Sequence, residues 1–530
     1  MVQADRATVA GGFNIAVEFL DRNVAEGRGE RVALIQGQDT TTYRELAILT
    51  NRVGAVLREL GVRRGDRVLL ALSDGVEFVA AWYAAQRLGA VTAEVYTFLP
   101  AKDYAYYLRY TNADTVVVDA VTLDAVREAA IVGRAPRHLL VVGVDESRLR
   151  PGERPFWTLV HEASDDLDAA PVAAGDVALW KFTTGTTGMP KACVHPARSC
   201  FASFEAYARG VLDLRADDRV LAVPKLFFGY ARDLVALFPF GVGAAGIVFP
   251  ERSTAELIFD LIERHRPTIL VNVPTMMSAM VAHPRASSAD LSSLRLCTSA
   301  GEALPAELHR KWDTAFGVDV VDGIGSSEAY HIFISNRPGR AHHGSVGTPV
   351  PGYRAAIVDD AGTPVQPGAS GVLEVTGPTV ALEYFGDQEK TAGTFRAADS
   401  PDDRTVRTGD LFSQGPDGYF HHHGRADDLL KVSGIWVAPG EIEHCLIGHD
   451  DVVECAVLGY HEHGLVLPRA YVVLRSGAAT TAEAIMEFAR TRLSGHKCPR
   501  DVRFIAALPR TGNGKLDRRA LRALSEDSHD

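Results

Sequence analysis

Two short apolar runs, Val177 to Phe182 and Ala192 to Val194, flank the segment Thr183-Thr184-Gly185-Thr186-Thr187-Gly188-Met189-Pro190-Lys191. Glycine lets consecutive backbone N–H groups turn toward an anion, and threonine adds hydroxyl donors. A strand, a hydroxyl-lined loop and a second strand would therefore suit a polyphosphate. The spacing is not that of the Walker loop, in which Gly-Lys-Ser/Thr opens a helix. Taken alone, the run also reads as an ordinary Gly/Thr turn. His421-His422-His423 has the composition of a metal site, but neighbours on a strand face opposite ways and do not converge on one ion. Six cysteines without a Cys-x-x-Cys pair give neither a disulfide framework nor a zinc site.

Three further segments follow the loop along the chain. They are Asp322-Gly323-Ile324-Gly325-Ser326-Ser327-Glu328, then Arg407-Thr408-Gly409-Asp410-Leu411 with Gly424-Arg425-Ala426-Asp427-Asp428, then Pro509-Arg510-Thr511-Gly512-Asn513-Gly514-Lys515. With the loop they resemble, in order, the core motifs of the adenylate-forming superfamily: acyl-CoA synthetases, peptide-synthetase adenylation domains and luciferases. The resemblance covers nearly the whole chain.

It implies a reaction in two steps. A carboxylate attacks the α-phosphate of ATP and expels pyrophosphate; a thiol then attacks the acyl adenylate and expels AMP. By this resemblance Thr183, Thr184, Gly185, Thr186, Thr187, Gly188 and Lys191 serve the β- and γ-phosphates. Glu328 holds Mg²⁺, a hard cation that prefers oxygen ligands. Ser327 stands where the family usually has threonine and keeps the hydroxyl. Asp410 accepts from the ribose hydroxyls, Arg425 adds a ribose or phosphate contact, and Gly301-Glu302 and Asp322-Gly323 flank the adenine. Lys515 is the catalytic lysine of adenylation, a point charge able to bridge the carboxylate and the α-phosphate. It lies on a C-terminal lid that turns about Asp427. The turn withdraws Lys515 and admits the pantetheine arm of CoA beside Lys431-Val432-Ser433-Gly434, so closure assembles each site in turn.

The run from Asp322 to Asn336, with Lys225-Leu226-Phe227-Phe228-Gly229-Tyr230, resembles benzoate–CoA ligase and its aryl relatives more than fatty acyl or acetyl enzymes. Carried over, Gly229, Tyr230 and His331 line the acid pocket. Aromatic walls suit a flat ring, and glycine leaves room for it. Phe227 and Phe228 read equally as core. Three departures bear on the acid: Ala231-Arg232-Asp233 after Tyr230, Ala192 in place of a common glycine, and Pro196-Ala197 after His195. They favour a ring with an amino or hydroxyl group, which Arg232, Asp233 or His331 could bond. Arg232 and Asp233 could equally pair with each other at the surface. The same adenylation could serve a carrier-protein phosphopantetheine in place of CoA. A non-catalytic binding protein and a luciferase-like oxidation are the remaining alternatives.

The elements expected to position these residues are those of an α/β chain. Thr42-Tyr43-Arg44-Glu45 reads as a capping box. Leu46, Leu49, Val53, Val56, Leu57 and Leu60 then recur at helical spacing up to Gly61. Val76 to Leu88 is a second helix closed by Gly89, and Arg67 to Leu72, Val116 to Val118 and Leu139 to Val142 read as buried strands. The expected architecture is a large N-terminal domain over residues 1–424, of mostly parallel sheets covered by helices. Its last part, about 350–424, is a turn-dense β-rich subdomain. A hinge over 425–428 and a small α+β lid over 429–530 follow. A net charge of −12 with no basic block excludes a nucleic-acid partner. No apolar run reaches the length of a membrane span, and early acidic residues do not fit a signal peptide. The expectation is a cytoplasmic enzyme, monomer or homodimer, with ATP, Mg²⁺ and CoA.

Overall fold

Thr42 caps the first long helix, Tyr43–Glu59. Its hydroxyl accepts from the Glu45 N–H, and the Glu45 carboxylate accepts in return from the Thr42 N–H. The face at i, i+3, i+4 buries Leu46, Val53, Val56 and Leu57, and Gly61 at φ +93° ends the run. The structure is a computed structural model that describes residues 12–183, 189–432, 435–462, 465–475, 477–510 and 516–526.

Two large sheets dominate the N-terminal domain. In the eight-stranded sheet, Arg67–Ala71, Val91–Glu94, Thr115–Asp119, His138–Val142, Glu153–Pro155 and Val177–Thr183 run parallel. Lys191–Pro196 then folds back antiparallel on Val177–Thr183, so the Thr/Gly loop joins two hydrogen-bonded strands. In the nine-stranded sheet Arg219–Ala222, Ala245–Val248, Ile269–Asn272, Leu296–Ser299 and Val320–Gly325 are parallel. Val32–Gln36, from near the start of the chain, joins this sheet beside Ala245–Val248. The central strands are apolar nearly throughout, as expected of parallel strands covered on both faces. Crossover helices such as Val76–Arg87 and Ala255–His265 supply the cover.

Past Pro349 the expected β-rich region forms. Arg354–Val358, Gly371–Gly377, Phe395–Ala397, Arg404–Gln414 and Phe420–Arg425 make a five-stranded antiparallel sheet. The last strand runs through Gly424 to Arg425, whose backbone is in register with Asp410. A smaller C-terminal unit follows. Val452–Glu462, Leu465–Leu474 and Asp501–Phe504 form a three-stranded sheet, backed by the helices Pro439–Ile447 and Ala482–Arg490. Ile442, Val457, Ala470, Val472 and Ile485 give this unit a core of its own.

Candidate active site

Gly229, Tyr230 and His331 do come together. Gly229 and Tyr230 open the short helix Gly229–Arg232, and the Tyr230 hydroxyl pairs with Thr298 Oγ1 at 2.7 Å. The buried His331 ring sits among Tyr230, Tyr207 and Phe238, with centroids 5.6, 5.4 and 5.0 Å away. Its Nε2 lies 3.4 Å from the Tyr230 carbonyl. A carbonyl only accepts, so Nε2 carries the hydrogen and Nδ1 presents a lone pair. Nδ1 is buried with no hydrogen-bond partner among the described residues. Burial drives the His331 pKa down to about 3, so the ring is neutral at ordinary pH.

The backbone before His331 is strained: Tyr330 has φ +74°, a conformation bulky residues rarely adopt. Lys181 holds it there. Its ammonium donates to the Tyr330 carbonyl at 2.6 Å and lies 3.6 Å from the centre of the Tyr330 ring. The same ammonium donates to Asp233 at 2.9 Å. The Asp233 carboxylate also takes a two-pronged contact from Arg232, through Nε at 3.0 Å and NH2 at 2.7 Å. Arg232 reaches on to Glu94 at 2.6 Å, and the Trp82 indole N–H donates to the same carboxylate oxygen. All four charged side chains are under 7 % exposed. Burial alone would raise the Asp233 pKa, yet Arg232 and Lys181 overcome it and hold the carboxyl at about 2. The surface pairing of Arg232 with Asp233 is therefore corrected. The pair exists, but it is interior and committed to Lys181 and Glu94 as well. An unpaired charge at this depth costs several kcal/mol, about 3–5 when one partner is removed, which is why the four occur together.

Gly229 abuts this cluster. A Cβ there would stand 2.4 Å from Lys181 Nζ, closer than van der Waals contact allows, so the position takes no side chain unless the lysine moves. Lys181 and Glu94 were not singled out from the sequence. The available signal was a lysine inside the apolar strand Val177–Thr183 and a glutamate inside Val91–Glu94, both on strands that are otherwise buried.

The residues that the resemblance assigns to the nucleotide cluster at or just past the carboxyl ends of the parallel strands, where open α/β sheets hold ligands. Thr183 ends one strand, Gly301 and Glu302 follow Leu296–Ser299, and Asp322 and Gly323 belong to Val320–Gly325, with Ser327 and Glu328 after it. The half-buried Glu328 accepts the Tyr384 hydroxyl at 2.9 Å on one carboxylate oxygen. Ser327 donates to the Phe182 carbonyl at 3.2 Å, at the root of the Thr/Gly loop. Lys191 turns to Asp387 at 2.6 Å, with Tyr384 beneath it. Asp322 is buried, and burial raises its pKa to about 8. Asp410 and Arg425 are cross-strand neighbours at 3.4 Å, with His422 at 3.7 Å. Burial would raise Asp410, but His422 and Arg425 keep it below the usual carboxylate range.

Glu302 accepts from both the backbone and the hydroxyl of Thr275. From the C-terminal unit, Arg510 stands 3.9 Å from Glu302 and 3.0 Å from Glu454. Thr184, Gly185, Thr186, Thr187, Gly188, Ser433, Gly434 and Lys515 lie outside the described residues. For Asp427 and Lys431 only the backbone is described: the first sits in the single turn Ala426–Asp428, the second in the strand Leu430–Val432. The three adjacent histidines take separate partners: the Gly344 carbonyl, Asp410 and Ser413. Among the described residues no helix is long and apolar enough to cross a membrane.

The chain is 38 % identical over 524 residues to the benzoate–CoA ligase of Thauera aromatica, covering 96 % of each. It is also 38 % identical to the 4-hydroxybenzoate–CoA/benzoate–CoA ligase of Rhodopseudomonas palustris, over 97 % of this chain and 94 % of that one. The crystal structure of the anthranilate CoA ligase AuaEII in complex with anthranoyl-AMP superposes with a TM-score of 0.92 at 36 % identity, over 97 % of both chains. The pattern of the AMP-binding enzyme matches residues 20–385, and that of the AMP-binding enzyme C-terminal domain residues 441–515. With both patterns matched in order along the chain, the chain belongs to the AMP-binding enzyme family.

Proposed function

We propose that the protein activates an aromatic carboxylic acid with ATP and transfers the acyl group to CoA. The observation that carries this reading is the buried His331 ring packed on the half-buried Tyr230, which follows Gly229, in a chain that matches aryl acid ligases nearly end to end. The ring of the acid lies against Tyr230 and His331, and its carboxylate points toward the loop. Adenylation brings an anion to a polyanion, so the chain must supply donors and positive charge at the α-phosphate. The Thr/Gly loop, Lys191 and Lys515 supply them. Asp410 and Arg425 fix the ribose.

Magnesium fits the carboxylate at Glu328, which keeps an oxygen free of Tyr384; bound there, it would neutralise charge on the phosphates. Lys515 bridges the attacking carboxylate and the α-phosphate. It then leaves with the C-terminal unit, over about 429–530, as that unit turns at Asp427. The loop Lys431 to Gly434 next faces the site, and the CoA thiol attacks the adenylate.

The free Nδ1 lone pair of His331 narrows the acid. It accepts a hydrogen bond, so it matches a ring amino or hydroxyl group and is left unpaired by plain benzoate. The test is pyrophosphate release with ATP, Mg²⁺ and a panel of benzoates, with and without CoA. Release that follows the ring, with thioester only when CoA is present, is expected. Equal efficiency for benzoate and its amino- and hydroxy-derivatives would remove the assigned role of Nδ1. Adenylate without thioester would point to a carrier-protein phosphopantetheine as acceptor.

A further inference from the structure

On the helix Ala306–Phe316, His309 and Asp313 are one turn apart and share a face. The segment after Gly339 brings His343 to the same spot. His343 Nε2 lies 2.9 Å from one Asp313 oxygen, and His309 Nε2 lies 3.9 Å from the other. The two imidazole centroids are 4.1 Å apart. One ligand atom from each residue can be chosen so that all three lie within 4.8 Å of one another, and among the described residues no other trio of His, Cys, Asp or Glu does this. They border a surface hollow of about 330 Å³ closed by Asp319, Gly339 and Ala341.

We propose that His309, Asp313 and His343 form a binding site for a first-row divalent transition cation, with zinc the best match. Two imidazoles and one carboxylate suit such a cation and not Mg²⁺, which takes oxygen ligands and keeps its water. Zinc–nitrogen and zinc–oxygen bonds of about 2.0–2.2 Å place tetrahedral ligand atoms about 3.4 Å apart. The observed spacings bracket that value, so rotamer adjustment at Asp313 and His343, each about two-fifths exposed, suffices. The hollow leaves the fourth position to water. An ordinary ion pair accounts for His343 with Asp313, but it gives no reason for a second imidazole 4.1 Å from the first.

A cation here would tie the helix to the loop that leads into Ser345 and Val346, both bonded to the Phe420 carbonyl. It is separate from the nucleotide side. Val318 and Asp319 precede the strand Val320–Gly325, and Glu328 follows it, so about 20 Å of strand lies between the two.

Full-length protein stripped with a chelator, then titrated with Zn²⁺ by calorimetry and with Co²⁺ by absorption, tests the site. One equivalent of Zn²⁺ should bind, and Co²⁺ should show the intense visible bands of a four- or five-coordinate site. Asp313→Asn and His343→Ala should each weaken Zn²⁺ binding by at least about tenfold. Mg-ATP-dependent thioester formation should be unchanged in both. No saturable binding, binding that survives both substitutions, or binding lost in His421→Ala would overturn the proposal. If a substitution lowers the melting temperature of the metal-free protein, the Co²⁺ spectrum of the unsubstituted protein decides: weak octahedral bands alone would sink the site.

Discussion

Around His331 every charge is settled inside the protein. Lys181, Asp233, Arg232 and Glu94 answer one another, and they come from three separate segments: two strands and the helical run that holds Arg232 and Asp233. Around Asp410 and Glu302 the charges are shared outward. Asp410 sits on the small antiparallel sheet with Arg425 two-fifths exposed beside it, and Glu302 faces Arg510 from the C-terminal unit. On the proposed function, the acid side is thus shaped before any ligand arrives, whereas the nucleotide side would depend on where the C-terminal unit stands. Discrimination between rings should then survive changes to the lid, and adenylation rate should not.

The sharpest way to break this contrast is Asp233→Ala, which leaves the buried Lys181 ammonium without a carboxylate and Arg232 with Glu94 alone. Loss of about 3–5 kcal/mol of stability is expected in urea unfolding. Partial recovery should follow when Lys181→Met is added. A loss below about 1 kcal/mol would mean the cluster is not a structural unit. Next comes Lys515→Ala. Adenylation should fall about 10²–10³-fold, while thioester formation from supplied acyl adenylate stays within a few-fold and the order of preference among benzoates is unchanged. A changed preference would show that the lid also reads the ring.

Gly229→Ala addresses the acid side alone. The added methyl meets Lys181, so kcat/KM for the preferred aryl acid should fall by about 10–100-fold with the KM for ATP unmoved. The last effect is read as a slope against pH and concerns Asp322. Its folded pKa of about 8 lies above the ordinary value of 3.8, so the folded chain holds a proton the unfolded chain releases. Its contribution is full below pH 4 and is lost as pH rises toward 8. Between those limits unfolding free energy should drop by up to about 1.4 kcal/mol per pH unit relative to Asp322→Asn, measured without nucleotide. Parallel curves for the two proteins would contradict it.

Much of this architecture was legible because it is local. The Thr42–Glu45 cap, the helix to Gly61, the apolar strands and the paired strands Val177–Thr183 and Lys191–Pro196 each rest on residues a few positions apart. The pairing of Val32–Gln36 with Ala245–Val248 was not, since an apolar strand carries no mark of its distant neighbour. The ion cluster shows the same limit from the other side. Arg232 and Asp233 are adjacent and invited a surface pair; only the fold brings Lys181 and Glu94 to them. Of the proposed acid pocket, His331 and Tyr230 came from family likeness, while the strain at Tyr330, next to His331, was invisible in a list of residue types.

Arg425 closes the last strand of the antiparallel sheet, locked opposite Asp410, and Asp427 stands two residues beyond. With the proposed pivot at Asp427, the axle of the motion is mounted almost on the proposed ribose seat. A swing about such a point carries the far rim of the C-terminal unit through a wide arc and leaves the seat nearly still. The nucleotide can then ride through the change of partners without being dropped, so the leverage of the lid comes from where its bearing is set and not from how far it bends.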